Sequence, residues 1–223
     1  MKHILKHYKN RILGFPKTLY FNIRYFGVDG LKFPVILSHK VKLKSCKGEI
    51  KIKGRLKKGM FIWGYTGIPI ATMKEISVWN NLGTVILKGF VNLGVGTKIY
   101  VGKGAELSLG NNFEITANSA IICEKKIEFG DDCLISWDVQ IMDTDAHSVI
   151  SSDTGVQKNM SRPIRIGNHV WVGLGVLILK GAEVPNNCVI AARSVIRSIY
   201  TEENAIIKSV FANKIIHNIN WKG

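Results

Sequence analysis

The sequence predicts an all-β solenoid, a chain wound into parallel coils, with short helical or tail segments at its ends. Three observations predict it. First, five hexads run unbroken from Ile166 to Val195: IGNHVW, VGLGVL, ILKGAE, VPNNCV and IAARSV. Ile166, Val172, Ile178, Val184 and Ile190 hold the first place, and Val170, Val176, Ala182, Cys188 and Ser194, all small or β-branched, hold the fifth. A period of six fits neither a helix nor a simple strand, so a larger unit repeats. A short strand plus a turn, taken three times, makes a triangular coil of about 18 residues. The first residue then faces the axis and the fifth fills the corner. Second, hexads recur upstream, at Val101-Gly-Lys-Gly-Ala-Glu, Leu109-Gly-Asn-Asn-Phe-Glu, Ile115-Thr-Ala-Asn-Ser-Ala, Phe129-Gly-Asp-Asp-Cys-Leu and Ile135-Ser-Trp-Asp-Val-Gln. Two-residue slips, 107 to 109 and 127 to 129, read as bulged corners. Third, 22 glycines supply the tight turns such coils need.

The chain divides into three parts. Residues 1–38 are a basic amphipathic segment. Ile4, Leu5, Tyr8, Ile12 and Leu13 recur at near-helical spacing, which predicts a helix up to Gly14-Phe15-Pro16. Leu19, Tyr20, Phe21, Tyr25 and Phe26 form an aromatic cluster that either docks on the solenoid or sits at a membrane interface. Residues 39–198 are the solenoid. Its first coils begin where Val41 and Leu43 alternate with lysines, and Ile50 and Ile52 likewise. Residues 61–100, with Trp63 and Trp79, read as distorted coils. Residues 199–223 are expected to form a short helix or tail on the last coil.

Composition narrows the function. At 223 residues with 46 % hydrophobic content, one domain plus appendages is expected. No apolar run approaches the roughly 18 residues that span a bilayer, and lysines, histidines and an arginine break up the N-terminal stretch where a signal peptide would lie. Cys46, Cys123, Cys133 and Cys188 show no CxxC spacing, so a reduced, cytoplasmic protein without structural zinc is expected. The net charge of +15 is concentrated: residues 1–60 carry 16 Lys/Arg against 2 Asp/Glu, and residues 61–223 carry 15 against 14. Such a segment suits an anionic surface, whether membrane lipid, a lipid-linked pyrophosphate or an acidic glycan; the alternative is a solvated basic face with no partner. No recognition motif for nucleic acid accompanies the charge, and no such partner is expected.

The period fails between Ile141 and Ile164. A solenoid accommodates an insertion only as a loop extruded from a corner, and such loops often carry function. Loop 143–163 opens on Asp143, Asp145 and His147. Only one imidazole is local; His169 falls in a repeat corner and is expected to be exposed, so no convincing metal set forms and none is expected. A neutral histidine beside a carboxylate suits general-base work, with a structural histidine as the plain alternative.

The hexads, the extruded DTDAH and the run RPIRIGNHVWVGLGVLILKGAEV together resemble the left-handed β-helix acyltransferases. Within them the chain is similar to bacterial O-acetyltransferases of the maltose/galactoside type and their relatives in surface-polysaccharide gene sets, from about Leu109 to Ile196. The left hand is implied by the resemblance; the usual crossover rule would not give it. The resemblance also implies a homotrimer with acetyl-CoA bound between neighbouring subunits. His147 matches the catalytic base, Asn118 an acceptor-contacting asparagine, and the backbone N–H of Leu174, after Trp171-Val172-Gly173, a donor to the thioester oxygen. Trp171 matches a groove-lining tryptophan, and Ala191, Ala192 and Ser194 the small residues beside pantetheine. The family's usual glycines and Thr-Lys are replaced by Ala191, Arg193 and Arg197-Ser198, which makes Arg193, Arg197 or Lys180 the candidates for the CoA phosphates. The family's Gly-x-Pro-Ala segment is absent, Lys208-Ser-Val-Phe-Ala-Asn standing in its place. Asp145 is preferred over Asp143 as the group orienting His147.

The expected function is therefore acetyl-CoA-dependent O-acetylation of a sugar hydroxyl in capsule or O-antigen synthesis. The partners expected are a sugar or polysaccharide acceptor and, through the basic N-terminus, the inner membrane face or a lipid-linked glycan. N-acetylation of an amino sugar nucleotide or a xenobiotic, and a non-catalytic glycan-binding solenoid, are the alternatives; a β-helix carbonic anhydrase is disfavoured by the missing histidine trio.

Overall fold

A computed structural model describes residues 2–71, 74–152, 154–210 and 212–216. The chain visits three parallel sheets in turn, so every third strand is a neighbour in one of them. The sheets have nine, seven and six strands and form the three faces of a prism. The first coil is Val35–Leu37, Val41–Cys46 and Glu49–Ile52; the second is Phe61–Trp63, Ser77–Asn81 and Thr84–Leu87.

The register follows the hexads. Ile166 lies beside Val184, Val172 beside Ile190 and Ile178 beside Ile196, each eighteen positions on. All five first-position residues and all five fifth-position residues of the run are buried. Upstream, Ile115 pairs with Ile135 and Ile121 with Ile141 across twenty positions, the two extra residues being taken up at a corner. The fourth place of every hexad adopts the left-handed conformation: His169, Gly175, Gly181, Asn187 and Arg193 have φ between 52° and 79°. Each turn therefore places one residue where β-branched side chains do not fit.

One corner is stitched by side chains. Asn111 Oδ1 accepts from the N–H of Phe90, Asp131 from Asn111, Asn168 from Asp131, and Asn186 from Asn168, at 2.7–3.0 Å. The glycine before each donor leaves room for the acceptor side chain. A Cβ on Gly89 would lie 2.0 Å from Asn111 Oδ1, and one on Gly130 would lie 2.5 Å from Asn168 Oδ1. The Gly-Asn and Gly-Asp pairs of the sequence are this ladder.

The helix spans Lys2–Phe26 with Pro16 inside it, and a 3₁₀ turn follows at Gly27–Lys32. The expected stop at Gly14-Phe15-Pro16 does not occur; the side chains of Ile4, Leu5 and Tyr8 lie outside the described residues. Gly14 is a packing residue here: a Cβ on it would lie 2.3 Å from the Leu37 carbonyl. Beyond Pro16 the helix covers the open edge of the first strand as a missing strand would. Asn22 accepts from the Val35 N–H at 3.0 Å and donates to its carbonyl at 2.8 Å. Thr18 accepts from the Leu37 N–H at 3.0 Å and donates to its carbonyl at 3.2 Å. These four bonds protect an edge that would otherwise pair with another chain, and they offset the roughly 3 kcal/mol that an internal proline costs.

The aromatic cluster docks on the solenoid. Phe21 is buried 5.5 Å from Trp79, and Trp79 Nε1 donates to Tyr25 Oη at 2.8 Å. Trp63 and Trp79 are themselves core residues, packed edge to face at 5.7 Å, and fill the wide early coils. At the other end, where a short helix or tail is expected, a hairpin packs on the last coil. Ile206–Val210 adds parallel to Val189–Ile190, and Ala212–Ile216 pairs antiparallel with it. A strand forms there because the last coil offers an open edge whose backbone groups another strand satisfies.

Asn22→Ala leaves a buried N–H and a buried carbonyl unpaired, and should cost about 2–4 kcal/mol. Denaturant unfolding of the full chain measures it; unchanged stability would mean that the helix does not cap the edge.

Candidate active site

The extruded loop is built from its base upward. Asp143 is wholly buried, and its carboxylate accepts from the backbone N–H groups of Glu124, Lys125 and Lys126 at 2.7, 2.8 and 2.7 Å. Three charge-assisted bonds clamp the loop to the coil below. Asp143 is therefore structural and is fully engaged away from His147. The Arg162 N–H donates to the Asp143 carbonyl at 3.1 Å and closes the loop base. Further out, Lys158 N donates to the Val149 carbonyl and Ile150 pairs antiparallel with Gln157, so the arm is a small hairpin.

Asn159 is the hub of this arm. Its Nδ2 donates to Asp145 at 2.8 Å and to the His147 carbonyl at 2.7 Å, and its Oδ1 accepts from the Val149 N–H at 2.7 Å. Lys180, one coil above, donates to Asp145 at 2.5 Å and to the Asn159 carbonyl at 3.0 Å. The hydrogen bonds from Lys180 and Asn159 hold the Asp145 carboxyl below its ordinary range. The tether is therefore intact above the ordinary 3.8 of an aspartate and is lost only as pH falls through the lower folded value. His147 follows Ala146, at φ 62°, in a tight turn. Its N–H donates to the Asp145 carbonyl at 2.7 Å, and its side chain is exposed. The backbone of His147 is fixed from two sides while the imidazole projects outward. Asp145 thus reaches His147 through Asn159 and the main chain; its carboxylate is held by Lys180 and Asn159 rather than by the ring.

The other sequence-selected residues fall along the edge between the nine- and seven-stranded faces. Gly173 sits under Ala192: a Cβ on it would lie 2.7 Å from the Ala192 nitrogen. Arg193 N donates to the Leu174 carbonyl at 2.8 Å. Trp171–Leu174 and Ala191–Ser194 are therefore two storeys of one edge, on which Ala192 and Arg193 are exposed and Ser194 is buried. The Leu174 N–H takes no carbonyl partner among the described residues. Trp171 donates through Nε1 to Ser136 Oγ at 3.1 Å. Asn118 lies lower on the same edge, at φ 51°, its amide against Gly96.

His147, Asp145, Lys180 and Arg197 occupy the next edge, between the seven- and six-stranded faces. The fold thus brings the candidate residues together in two groups, with a face of the prism between them. Sequence reasoning missed Asn159, which lies in an aperiodic polar stretch and has no partner at a recognisable spacing. Lys180, a candidate for phosphate, is occupied as a loop tether. His169, expected to be exposed, is half-buried, with Nδ1 3.1 Å from Asn187 Oδ1. Among the described residues no three His, Cys, Asp or Glu side chains converge to hold a metal, and no helix is long and apolar enough to cross a membrane.

No protein-family model matches the chain. Polysialic acid O-acetyltransferase of Neisseria meningitidis is 42 % identical over 78 residues, 34 % of this chain and 34 % of the relative. "Putative lipopolysaccharide biosynthesis O-acetyl transferase WbbJ" of Escherichia coli K12 is 30 % identical over 135 residues, 57 % of this chain and 68 % of the relative. The chain thus spans about a third of the length of the first and two thirds of the second. The crystal structure of the polySia-specific acetyltransferase NeuO matches 85 % of this chain and 82 % of its own with a TM-score of 0.51 at 19 % identity, a likeness of fold.

Lys180→Met removes the tether from Asp145 and Asn159. Amide exchange at neutral pH should quicken across 145–159 and stay unchanged in the coils; unaltered exchange in the loop would show that the tether does not order it.

Proposed function

The chain belongs to the left-handed β-helix, hexapeptide-repeat O-acetyltransferases, and on that premise we propose that it transfers the acetyl group of acetyl-CoA to a sugar hydroxyl of a bacterial surface polysaccharide. The observation that carries the reading is His147: a histidine whose main chain is locked at both ends, on an arm outside the packing scheme, with its ring projecting outward.

In this reading a ring nitrogen of His147 takes the proton of the acceptor hydroxyl as that oxygen attacks the thioester carbonyl carbon. The carbon–sulfur bond then breaks, and the proton passes from the imidazolium to the departing thiolate. Attack is direct, since holding both substrates side by side supplies the rate advantage without an acyl-enzyme. The backbone N–H of Leu174 is the donor for the negative charge that develops on the carbonyl oxygen. The small residues Ala191 and Ala192 allow the pantetheine arm to lie against the main chain, Trp171 and Gly173 shape the groove below them, and exposed Arg193 and Arg197 face the CoA phosphates. Asn118 contacts the acceptor.

The division of these residues between two edges supports a homotrimer. A base must come within hydrogen-bond reach of its proton, and a threefold array sets one edge of each chain against the other edge of its neighbour. The buried free thiols Cys123, Cys133 and Cys188 support a reducing, cytoplasmic setting. Peripheral contact with the membrane or a lipid-linked glycan through the basic N-terminal segment belongs to the same reading.

His147→Ala should lower acetyl transfer by about 10²–10⁴-fold, the worth of a positioned base. CoA release in the presence of acceptor glycans measures the rate, and sedimentation equilibrium should still show three chains. Full activity in the variant would sink the mechanism.

A further inference from the structure

Two concave clefts open side by side on the early coils, and Lys58 lines both. The larger lies by the third edge of the prism, and the smaller lies between the helix and the first strands of the nine-stranded face, on coils below those that carry the candidate active-site residues. The larger cleft, about 490 Å³, is lined by Lys53, Arg55, Lys57, Lys58 and Lys88, and no carboxylate lines it. Lys88 is paired with Glu128 at 3.0 Å; among the described residues the other four form no ion pair. Four uncompensated cations in one concavity repel one another, and a multivalent anion removes that repulsion. Arg55 adds a planar fork that suits phosphate oxygens.

The smaller cleft, about 280 Å³, has a different character. Phe15 of the helix and Phe33, with ring centroids 5.8 Å apart, together with Ile36, form its apolar wall. One hydrogen bond joins the two clefts: the Gly59 N–H donates to the Phe33 carbonyl at 3.0 Å and draws the turn carrying Lys57 and Lys58 against the aromatic wall. Phe33 holds a left-handed conformation, φ 51°, to make that approach. Ile12, one turn before Phe15 on the same flank of the helix, is 71 % exposed.

An acidic glycan would use the cations but has no hydrocarbon chain to fill the apolar cleft that Ile36 shares with Phe15 and Phe33. We propose that the paired clefts bind one molecule of an amphiphile with a diphosphate head, the head in the basic cleft and the first stretch of its hydrocarbon chain against Phe15, Phe33 and Ile36. The concavity of both clefts favours a single amphiphile over the flat surface of a bilayer. This site would serve the contact with a lipid-linked glycan proposed above, and its binding is tested without the acetyl-transfer chemistry.

The test is calorimetry on the full chain with four probes: farnesyl diphosphate, inorganic pyrophosphate, an oligomer of sialic acid, and vesicles of phosphatidylcholine with phosphatidylglycerol. Farnesyl diphosphate should bind at least tenfold more tightly than inorganic pyrophosphate. The combined variant Arg55→Gln, Lys57→Gln, Lys58→Gln should abolish binding of both. Phe15→Ser should bring farnesyl diphosphate down to the level of inorganic pyrophosphate. CoA release with a water-soluble acceptor should persist in these variants, and farnesyl diphosphate should still bind His147→Ala, so that failure here and failure of the acetyl-transfer mechanism are told apart. Circular dichroism and melting temperature check that each variant is folded. Equal affinity for the two diphosphates would overturn the proposal, as would binding that survives the triple substitution. Tighter binding of the sialic acid oligomer or of vesicles than of farnesyl diphosphate would overturn it too.

Discussion

The inward stack of first-position side chains is the interaction on which the rest of the structure depends. Ile115, Ile135, Val172, Ile190 and Ile207 lie in one column; Ile99, Ile121, Ile141, Ile178 and Ile196 lie in another. Every one of them is buried. Each removes roughly 1.5–3 kcal/mol worth of apolar surface from water, but only because a coil lies on either side of it. The constraint has consequences at both ends. The first coil lacks a neighbour, and Thr18, Phe21 and Asn22 of the helix supply its bonds and its contact. The last coil is covered by the hairpin 206–216.

Once the columns are fixed, the corners are fixed as well, and the corners hold the polar chemistry. A chain that must turn after every short strand places one left-handed residue in each turn, which explains Asn112, Asp132, His169 and Asn187 beside the Gly-Asn ladder on one edge and the exposed Arg193 on another. The edges are then three parallel rails with separate uses. One bears Asn118, Leu174 and the Ala191–Ser194 storey. The next bears the arm with His147. The third bears the basic cleft, and the apolar cleft lies beside it between the helix and the first strands. The two rails that carry the candidate residues are separated by a face within one chain, and the proposed transfer reaction therefore calls on a second copy.

The sequence made the repeats and their break legible because a hexad is a local pattern with a direct steric meaning. Ile166 to Ser194 needed only period and side-chain size to be placed, and His147 stood out because the register stopped before it. What was not legible depended on partners remote in sequence. Pro16 signals a helix stop, yet the Asn22 and Thr18 bonds to residues 13 and 19 positions away carry the helix past it. The C-terminal segment took a strand because the sheet edge beside Val189–Ile190 offered one. Asp145, Asn159 and Lys180 come from three separate stretches, and no spacing rule joins them. The same remoteness hid the basic cleft: the charge of residues 1–60 was visible in the sequence, but its convergence with Lys88 and the Phe15–Phe33 wall was not.

The central claim is that one working site combines residues from two edges of different copies, and subunit mixing tests it most directly. Chains carrying only His147→Ala and chains carrying only Asn118→Ala are each inactive in this account. Unfolded, mixed in equal amounts and refolded together, they should form trimers in which about a quarter of the interfaces join an intact His147 edge to an intact Asn118 edge, since a head-to-tail ring draws each partner at random. Acetyl transfer should therefore reappear at about that fraction of the wild-type rate. A mixture that forms mixed trimers, shown by mass, and yet stays as inactive as its components would contradict the account.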